Sequence, residues 1–480
     1  MKEQNQKSMI WIGIVTIIFM ELLIFGGWGI AVPIAVIIYY ALILWQSKVI
    51  KIKKNMKNNM LLIPIGMTAL CFAFFDNSLL KFFDVVFLYG LIMLHTIEQF
   101  GINRFEIFSF KWFIEVFPMG IGMPLKNIGA PINVVKDEIK ESSKEKANSF
   151  FKVLIGLVIG IPIVFIATIL LMNTDAAFNG VISLISASFD FDLEFILMRV
   201  VAFIIIFFPL YGLFYGLRNK KEKITEQKEK RKVQIFDFII VITVTSLLCI
   251  VYTMYCLSQV TYFISAFKGI LPADYTFSGY ARKGFFECIP LAIINSLFIV
   301  VLSLFTKTDE NNKRITVIKG YISFIVAFTL FLVISALSKM WLYISVYGIT
   351  IMRVYVSWFL IVGCITLLFI GIKTYYSKFK LTKNVFIVFT IMFLGLNYAN
   401  IDYRIAEYDA NIYMAEKVNT VGAFEDLSYS ALESLIKISN IDTNETKDMI
   451  KKYENSIYST TKWQEWNVAN YKARKIFENK

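Results

Sequence analysis

Apolar runs of about seventeen or more residues recur through the first 398 positions, the length a helix needs to cross a hydrocarbon core of about 30 Å. Every second gap between them is rich in lysine and arginine. Eleven such segments are read, at 9–25, 30–46, 60–77, 80–98, 150–172, 193–216, 235–258, 284–305, 317–337, 354–372 and 384–398. In lipid each segment must satisfy its own backbone hydrogen bonds, which predicts helices. The short alternating strands of a membrane barrel do not fit the pattern. The basic gaps follow the even-numbered segments, from Lys48 to Lys57, Arg218 to Lys232, Lys307 to Arg314 and Lys373 to Lys383, whereas 173–192 has neither lysine nor arginine. The bias of basic loops toward the cytoplasm then puts the N-terminus inside, and an odd number of spans puts the C-terminus outside.

Composition agrees. Of 480 residues, 57% are hydrophobic and only 18% charged, below the quarter or so of a soluble domain. The net charge of +13 falls in loops on the cytoplasmic side, where it suits anionic lipid headgroups rather than nucleic acid. The first apolar run resembles a signal peptide, following Lys2 and Lys7, but Gly26-Gly27-Trp28-Gly29 offers no small-x-small cleavage site and a second run opens at Ile30. The reading is an uncleaved span in a tight hairpin. Five cysteines, Cys71, Cys249, Cys256, Cys288 and Cys364, form no CxxC pair or Cys/His cluster. They read as small buried hydrophobes, with no metal site and no disulfide framework.

Two segments stand apart from the spans. Segment 101–149 opens with Phe105, Phe108, Phe110, Trp112, Phe113 and Phe117 among charges and becomes lysine-rich after Val134. It reads as a helix or loop lying in the membrane interface, or as a solvated linker. Segment 399–480 carries helical periodicity at Ile405, Tyr408, Ile412 and Ala415 and again at Leu427, Ala431, Leu432 and Leu435. Asp442-Thr443-Asn444-Glu445 resembles a capping box, and a last helix is expected from Lys462 to about Phe477. The expected architecture is all-α: a polytopic transmembrane bundle over 1–398, N-terminus in and C-terminus out, with a small extracytoplasmic helical domain over 399–480.

Charges within spans are costly and are candidate functional groups. They are Glu21, Asp84, His95, Glu98, Arg199, Asp237, Glu287, Lys319 and Arg353. Most lie near span ends, where long side chains reach water. Glu21 and Arg199 lie deeper, both toward the outer face, and an ion pair between them is compatible with that placement. His95, the single histidine, shares a helical face with Glu98 at i+3, a weak candidate for a proton relay or an ordinary interfacial hydrogen-bonded pair. The most distinctive stretch, 262–287, concentrates Lys268, Asp274, Arg282, Lys283 and Glu287 among aromatic residues including Tyr280. It reads either as a re-entrant loop lining a site or as an aromatic belt around a turn.

Within it, Tyr280-Ala281-Arg282-Lys283-Gly284-Phe285-Phe286-Glu287, preceded by Leu271-Pro272-Ala273, resembles the hallmark of a bacterial multi-pass family, domain of unknown function 4173. Asn400-Ile401-Asp402, Ile405-Ala406, Asn411-Ile412, Trp463, Trp466 and Asn467 resemble that family's C-terminal pattern. The resemblance covers most of the chain and implies a bacterial cytoplasmic-membrane protein, with no activity attached. It directs attention to Asp274, Tyr280, Arg282, Lys283 and Glu287.

The chain shows no catalytic motif and no cofactor signature. Two functional readings remain. One is a membrane scaffold or regulator that recognises an envelope partner or signal through its external loops and tail. The other is a secondary transporter or channel, favoured by Glu21, Arg199 and the prolines Pro33, Pro64, Pro162 and Pro209 within apolar runs.

Overall fold

The computed structural model describes residues 2–50, 56–102, 105–141, 170–188, 193–219, 236–267, 276–306, 312–416, 424–439, 445–459 and 462–479, with scattered positions between 160 and 168. The chain divides into two compact units, Met1–Ile224 with Tyr458–Lys480, and Thr225–Ile457. In the first, α1 (Lys2–Phe19) runs into a π turn, Met20–Ile24. There follow α2 (Ala31–Ile50), a 3-10 turn Met56–Leu61, α3 (Leu62–Phe74), α4 (Ser78–Gln99), α5 (Phe110–Lys126), α6 (Ala130–Glu141), α7 (Ala176–Ser188) and α8 (Leu193–Asn219). The second unit holds α9 (Phe238–Phe267), α10 (Phe277–Val300), α11 (Asn312–Tyr347), α12 (Ile351–Tyr375), α13 (Leu381–Tyr398), α14 (Ile401–Glu416) and α15 (Leu432–Ser439). Helix α16 (Glu445–Ser459) ends at the return to the first unit, which a 3-10 turn, Trp463–Glu465, and α17 (Val468–Glu478) complete. Among the described residues there is no strand, only an isolated bridge between Phe236 and Thr306.

Eight helices among the described residues are long and apolar enough to cross a membrane. Two shorter apolar helices, Ala31–Ser47 and Asn59–Phe74, fall on the second and third expected segments. The fifth, 150–172, lies largely outside the described residues. The chain is a multi-pass membrane protein. Inside lipid, burying an apolar side chain gains little over leaving it against acyl chains, so helices hold together by packing and interhelical hydrogen bonds. In the second unit the Tyr252 ring stacks on Phe328 at 3.8 Å. Its hydroxyl donates to Asn295 Oδ1 at 2.5 Å, and Asn295 Nδ2 donates to Thr329 Oγ1 at 2.8 Å, tying α9, α10 and α11.

Three expectations change in detail. Within segment 101–149, expected as an interfacial helix or loop or a solvated linker, Phe110–Lys126 and Ala130–Glu141 form two helices, the first packed into the bundle. Trp112 and Val116 of α5 are fully buried, packed with α4 and α8, and Gly212 and Gly216 of α8 admit the Pro124 carbonyl and the Asn127 side chain. The opposite stripe, Phe110, Ile114, Phe117, Ile121 and Leu125, is exposed and apolar. The ninth segment, expected at 317–337, is part of a helix that runs ten residues further, to Tyr347. The expected last helix from Lys462 breaks at Asn467, whose extended backbone and side chain cap α17 by accepting from Asn470 N at 2.8 Å.

Beyond α13 the chain builds a helical module with its own core of Ile405, Ala406, Ala410, Phe424, Leu427, Ala431, Leu435 and Ile438, onto which Ile349, Ile351 and Val354 also pack. Buried polar groups fasten it. Asp402 Oδ2 accepts from Ser428 N at 3.0 Å, and the Tyr453 hydroxyl donates to the Leu427 carbonyl at 2.7 Å.

The turn under this module is closed by one carboxylate. Gly348 ends α11 with φ +76, a conformation open to glycine, and Asp409 Oδ1 accepts from Ile349 N at 3.0 Å. Arg353 donates to the Tyr347 carbonyl at 2.9 Å and lies over the Tyr343 ring. Burial pushes the Asp409 carboxyl up to about 6 from 3.8, against the pull of the Ile349 N–H and of Arg353. Its folded value exceeds its unfolded one, so its charge costs stability at neutral pH, and that cost fades as pH falls through 6 toward 3.8. Asp409→Asn, which keeps an oxygen for Ile349, is expected to flatten this rise in stability on acidification. Thermal unfolding of detergent-solubilised wild type and variant between pH 7 and pH 5 checks it, and identical pH slopes would refute it.

Candidate functional site

The first unit brings an ion pair deep in its spans, the turn of the first hairpin and residues 462–467 together. The π turn after α1 arises where Phe25 N reaches back five residues to the Met20 carbonyl at 2.9 Å. Such single-turn widenings are frequent at functional positions. This one carries Glu21. Arg199, on the second turn of α8, pairs with it through both guanidinium Nη atoms, Nη1 to Oε1 and Nη2 to Oε2 at 3.2 Å. The pair that the sequence left open is therefore formed. Phe195 and Phe25 flank the guanidinium at 4.3 and 5.1 Å from their ring centres, a cation–π setting.

Against the same turn lies a strap, Lys462 to Asn467. Gly29 N donates to the Gln464 carbonyl at 3.1 Å and Ile30 N to the Trp466 carbonyl at 2.9 Å. Lys462 Nζ donates to the Phe25 carbonyl at 2.7 Å, and Gln464 Nε2 to the Glu21 carbonyl at 3.4 Å. Asn467 Nδ2 reaches Asp76 Oδ1 at 3.2 Å, the carboxylate that also holds Lys81. The glycines of the hairpin make room for this. A Cβ on Gly26 would stand 2.7 Å from Gln464 Cγ, one on Gly27 would overlap the Glu465 side chain, and one on Gly29 would stand 2.6 Å from the Trp466 oxygen. Strap, π turn, Glu21 and Arg199 thus form one connected network.

A second polar cluster lies on α4. His95 Nε2 faces Gln99 Nε2 at 3.2 Å, and Gln99 Nε2 also donates to Asn59 Oδ1 at 3.3 Å. His95 Nε2 can then only accept, so Nδ1 carries the proton and donates to the Tyr40 hydroxyl at 3.1 Å. Glu98 Oε2 accepts from Trp112 Nε1 at 3.1 Å. The two residues share a helix and are both buried, but each bonds to a different neighbouring helix, His95 to α2 and Glu98 to α5.

Of the motif residues in 271–287, Tyr280, Arg282, Lys283 and Glu287 ride on α10, whose start is capped by Thr276 accepting from Gly279 N at 3.2 Å. Arg282 and Glu287 are exposed. Asp274 and the expected re-entrant portion, 268–275, lie outside the described residues. The sequence reading passed over Lys339, 8% exposed in α11, because the ninth segment was ended two residues before it. Among the described residues no group of three or more His, Cys, Asp or Glu is placed to hold a metal ion.

A family model, Domain of unknown function (DUF4153), matches residues 62–438. The chain belongs to the DUF4153 family. The resemblance drawn from the Tyr280–Glu287 motif pointed to a differently numbered family, 4173; what holds is membership of a family with no assigned function. No curated protein and no solved structure matches the chain. The DUF4153 match takes in Arg199, His95, Glu98 and the 271–287 motif, and leaves out Glu21, the glycine hairpin and the strap.

Proposed function

We propose that this DUF4153 protein is a membrane scaffold or regulator whose extramembrane module engages a partner or signal on the non-cytoplasmic side. The observation that carries this reading is the module itself. Its helices α14 to α16 share a closed apolar core, and Asp402, Asp409 and Tyr453 fasten its turns from within. An ordered module with a core of its own presents a fixed surface. On α16 that surface carries the exposed Lys447, Asp448, Lys451, Lys452 and Tyr458, charges suited to steering a protein partner. The membrane-depth groups also favour it, because Glu21, His95, Glu98 and Asn295 are engaged by the protein's own side chains. A second reading, transport of a small solute or ion, is favoured by the π turn at Glu21 and by Lys339 buried within a spanning helix.

A photoreactive residue placed at Lys451 of the full chain tests the proposal in cells. The expected result is one partner cross-linked in stoichiometric yield and lost when Lys447 and Lys452 are changed to glutamate in the probe-bearing chain. No adduct, with solute flux into vesicles that depends on Lys339, would replace the scaffold reading with transport.

A further inference from the structure

We propose that the strap is an interfacial anchor, with Trp463 and Trp466 seated in the lipid headgroup layer beside Trp28. The lipid-facing side of the first span can be followed to it. Ile10, Trp11, Ile14, Ile17 and Ile24 of that span are exposed, and Trp28 is 45% exposed just past it. At about 1.5 Å per residue, Trp11 and Ile24 stand roughly 20 Å apart. Trp28 Nε1 donates to the Leu23 carbonyl at 3.1 Å, so its ring sits at the end of the span, and Trp11 and Trp28 stand toward the two edges of a hydrocarbon layer of about 30 Å. Trp45 of α2 packs beside Trp11, 6.0 Å between ring centres. The first hairpin thus has one tryptophan pair at its open end and Trp28 at its closed end, the pattern of aromatic belts at the two membrane surfaces.

The strap is held at the level of the second belt. Its carbonyls accept from Gly29 and Ile30, the residues that begin the second helix of the hairpin. Its own tryptophans are open, Trp463 at 57% and Trp466 at 41%, and Tyr471 of α17 stands 6.3 Å from the Trp466 ring. Next to these rings run Lys472, Arg474 and Lys475, with Lys475 Nζ over Tyr471 at 4.8 Å. Amphipathic rings backed by cations suit the headgroup region, where an indole keeps its polar edge wet and its body in lipid. The partner is therefore the lipid surface that the first span already occupies, continued onto residues made more than 430 positions later.

The test uses the full chain with p-benzoylphenylalanine in place of Trp463 or Trp466, an aromatic exchange at an open position. The protein is reconstituted in vesicles of phosphatidylethanolamine and phosphatidylglycerol. After irradiation, intact-mass measurement is expected to show phospholipid adducts at both sites, several-fold above the same probe at exposed Lys451 on α16. Lipid adducts no more frequent than at Lys451 would overturn the proposal. So would adducts to a second copy of the chain or to another protein in native membranes, which would make the strap a protein-docking element. Should either probe disturb the strap, the variant Trp463→Tyr provides a check: headgroup-seated, it keeps the strap shielded from added protease in intact vesicles, while Trp463→Asp exposes it.

Discussion

Arg199→Met is expected to lower the yield of folded, membrane-inserted protein sharply, because it leaves the Glu21 carboxylate facing lipid and two phenylalanine rings with no counter-charge. The cost of an unpaired charge in a spanning helix is about 2.5–3.5 kcal/mol on insertion scales, and losing one partner of a desolvated pair costs on the order of 3 kcal/mol. Both side chains keep over a third of their surface open, which lets the carboxylate relax toward the interface, so a loss at the lower end, about 2.5 kcal/mol, is expected. Glu21→Gln with Arg199→Gln, which removes both charges, should restore much of the yield. Glu21→Arg with Arg199→Glu should restore it as well, since the bidentate geometry is symmetric. Quantitative immunoblotting of membranes, with size-exclusion profiles in detergent, reads all three variants. A double neutral variant as poor as Arg199→Met would show that the pair is not what the first substitution breaks.

The second large effect is expected at Gly27. It combines φ +138 with a neighbour that leaves no room for a side chain. Gly27→Val meets both penalties, one for a β-branched residue at positive φ and one for overlap with Glu465. Because the strap is the movable partner, the result should be a released strap rather than a lost hairpin. Limited proteolysis at Lys462 should accelerate at least tenfold if about 1.4 kcal/mol of seating energy is lost, while the membrane-embedded fragment keeps its size. Unchanged cleavage at Lys462 would show that the strap's backbone bonds do not depend on the hairpin glycines.

The spans were legible because lipid makes apolar length the controlling variable, and eight of the expected segments fall on helices long enough to cross. Glu21 and Arg199 were legible as a suspected pair because both sat deep and on the same side, but sequence spacing carries no information about a contact 178 residues apart. The strap was not legible at all. Gly26-Gly27-Trp28-Gly29 looked like an ordinary tight turn, and Trp463 and Trp466 like one face of a terminal helix. A signal was present in the excess of glycine. Of the three, only Gly27 has positive φ; Gly29 is there for close approach of the strap backbone, and Gly26 for the Glu21 and Leu22 carbonyls of its own turn and the Gln464 side chain. His95 and Glu98 were correctly placed on one helix, yet i+3 spacing could not tell that α2 and α5 would each claim one of them. Lys339 escaped because the helix outlasts the apolar run that marks it.

The strap also sets an order of events in synthesis. The hairpin that receives it leaves the ribosome first, and residues 462–467 follow more than 430 positions later, roughly 20–90 s at translation rates of about 5–20 residues per second. For that interval the backbone N–H groups of Gly29 and Ile30 have no strap carbonyl to meet. A chain cut short before Lys462 never supplies one. The polar closure of the first hairpin thus waits until residues 462–467 have been made.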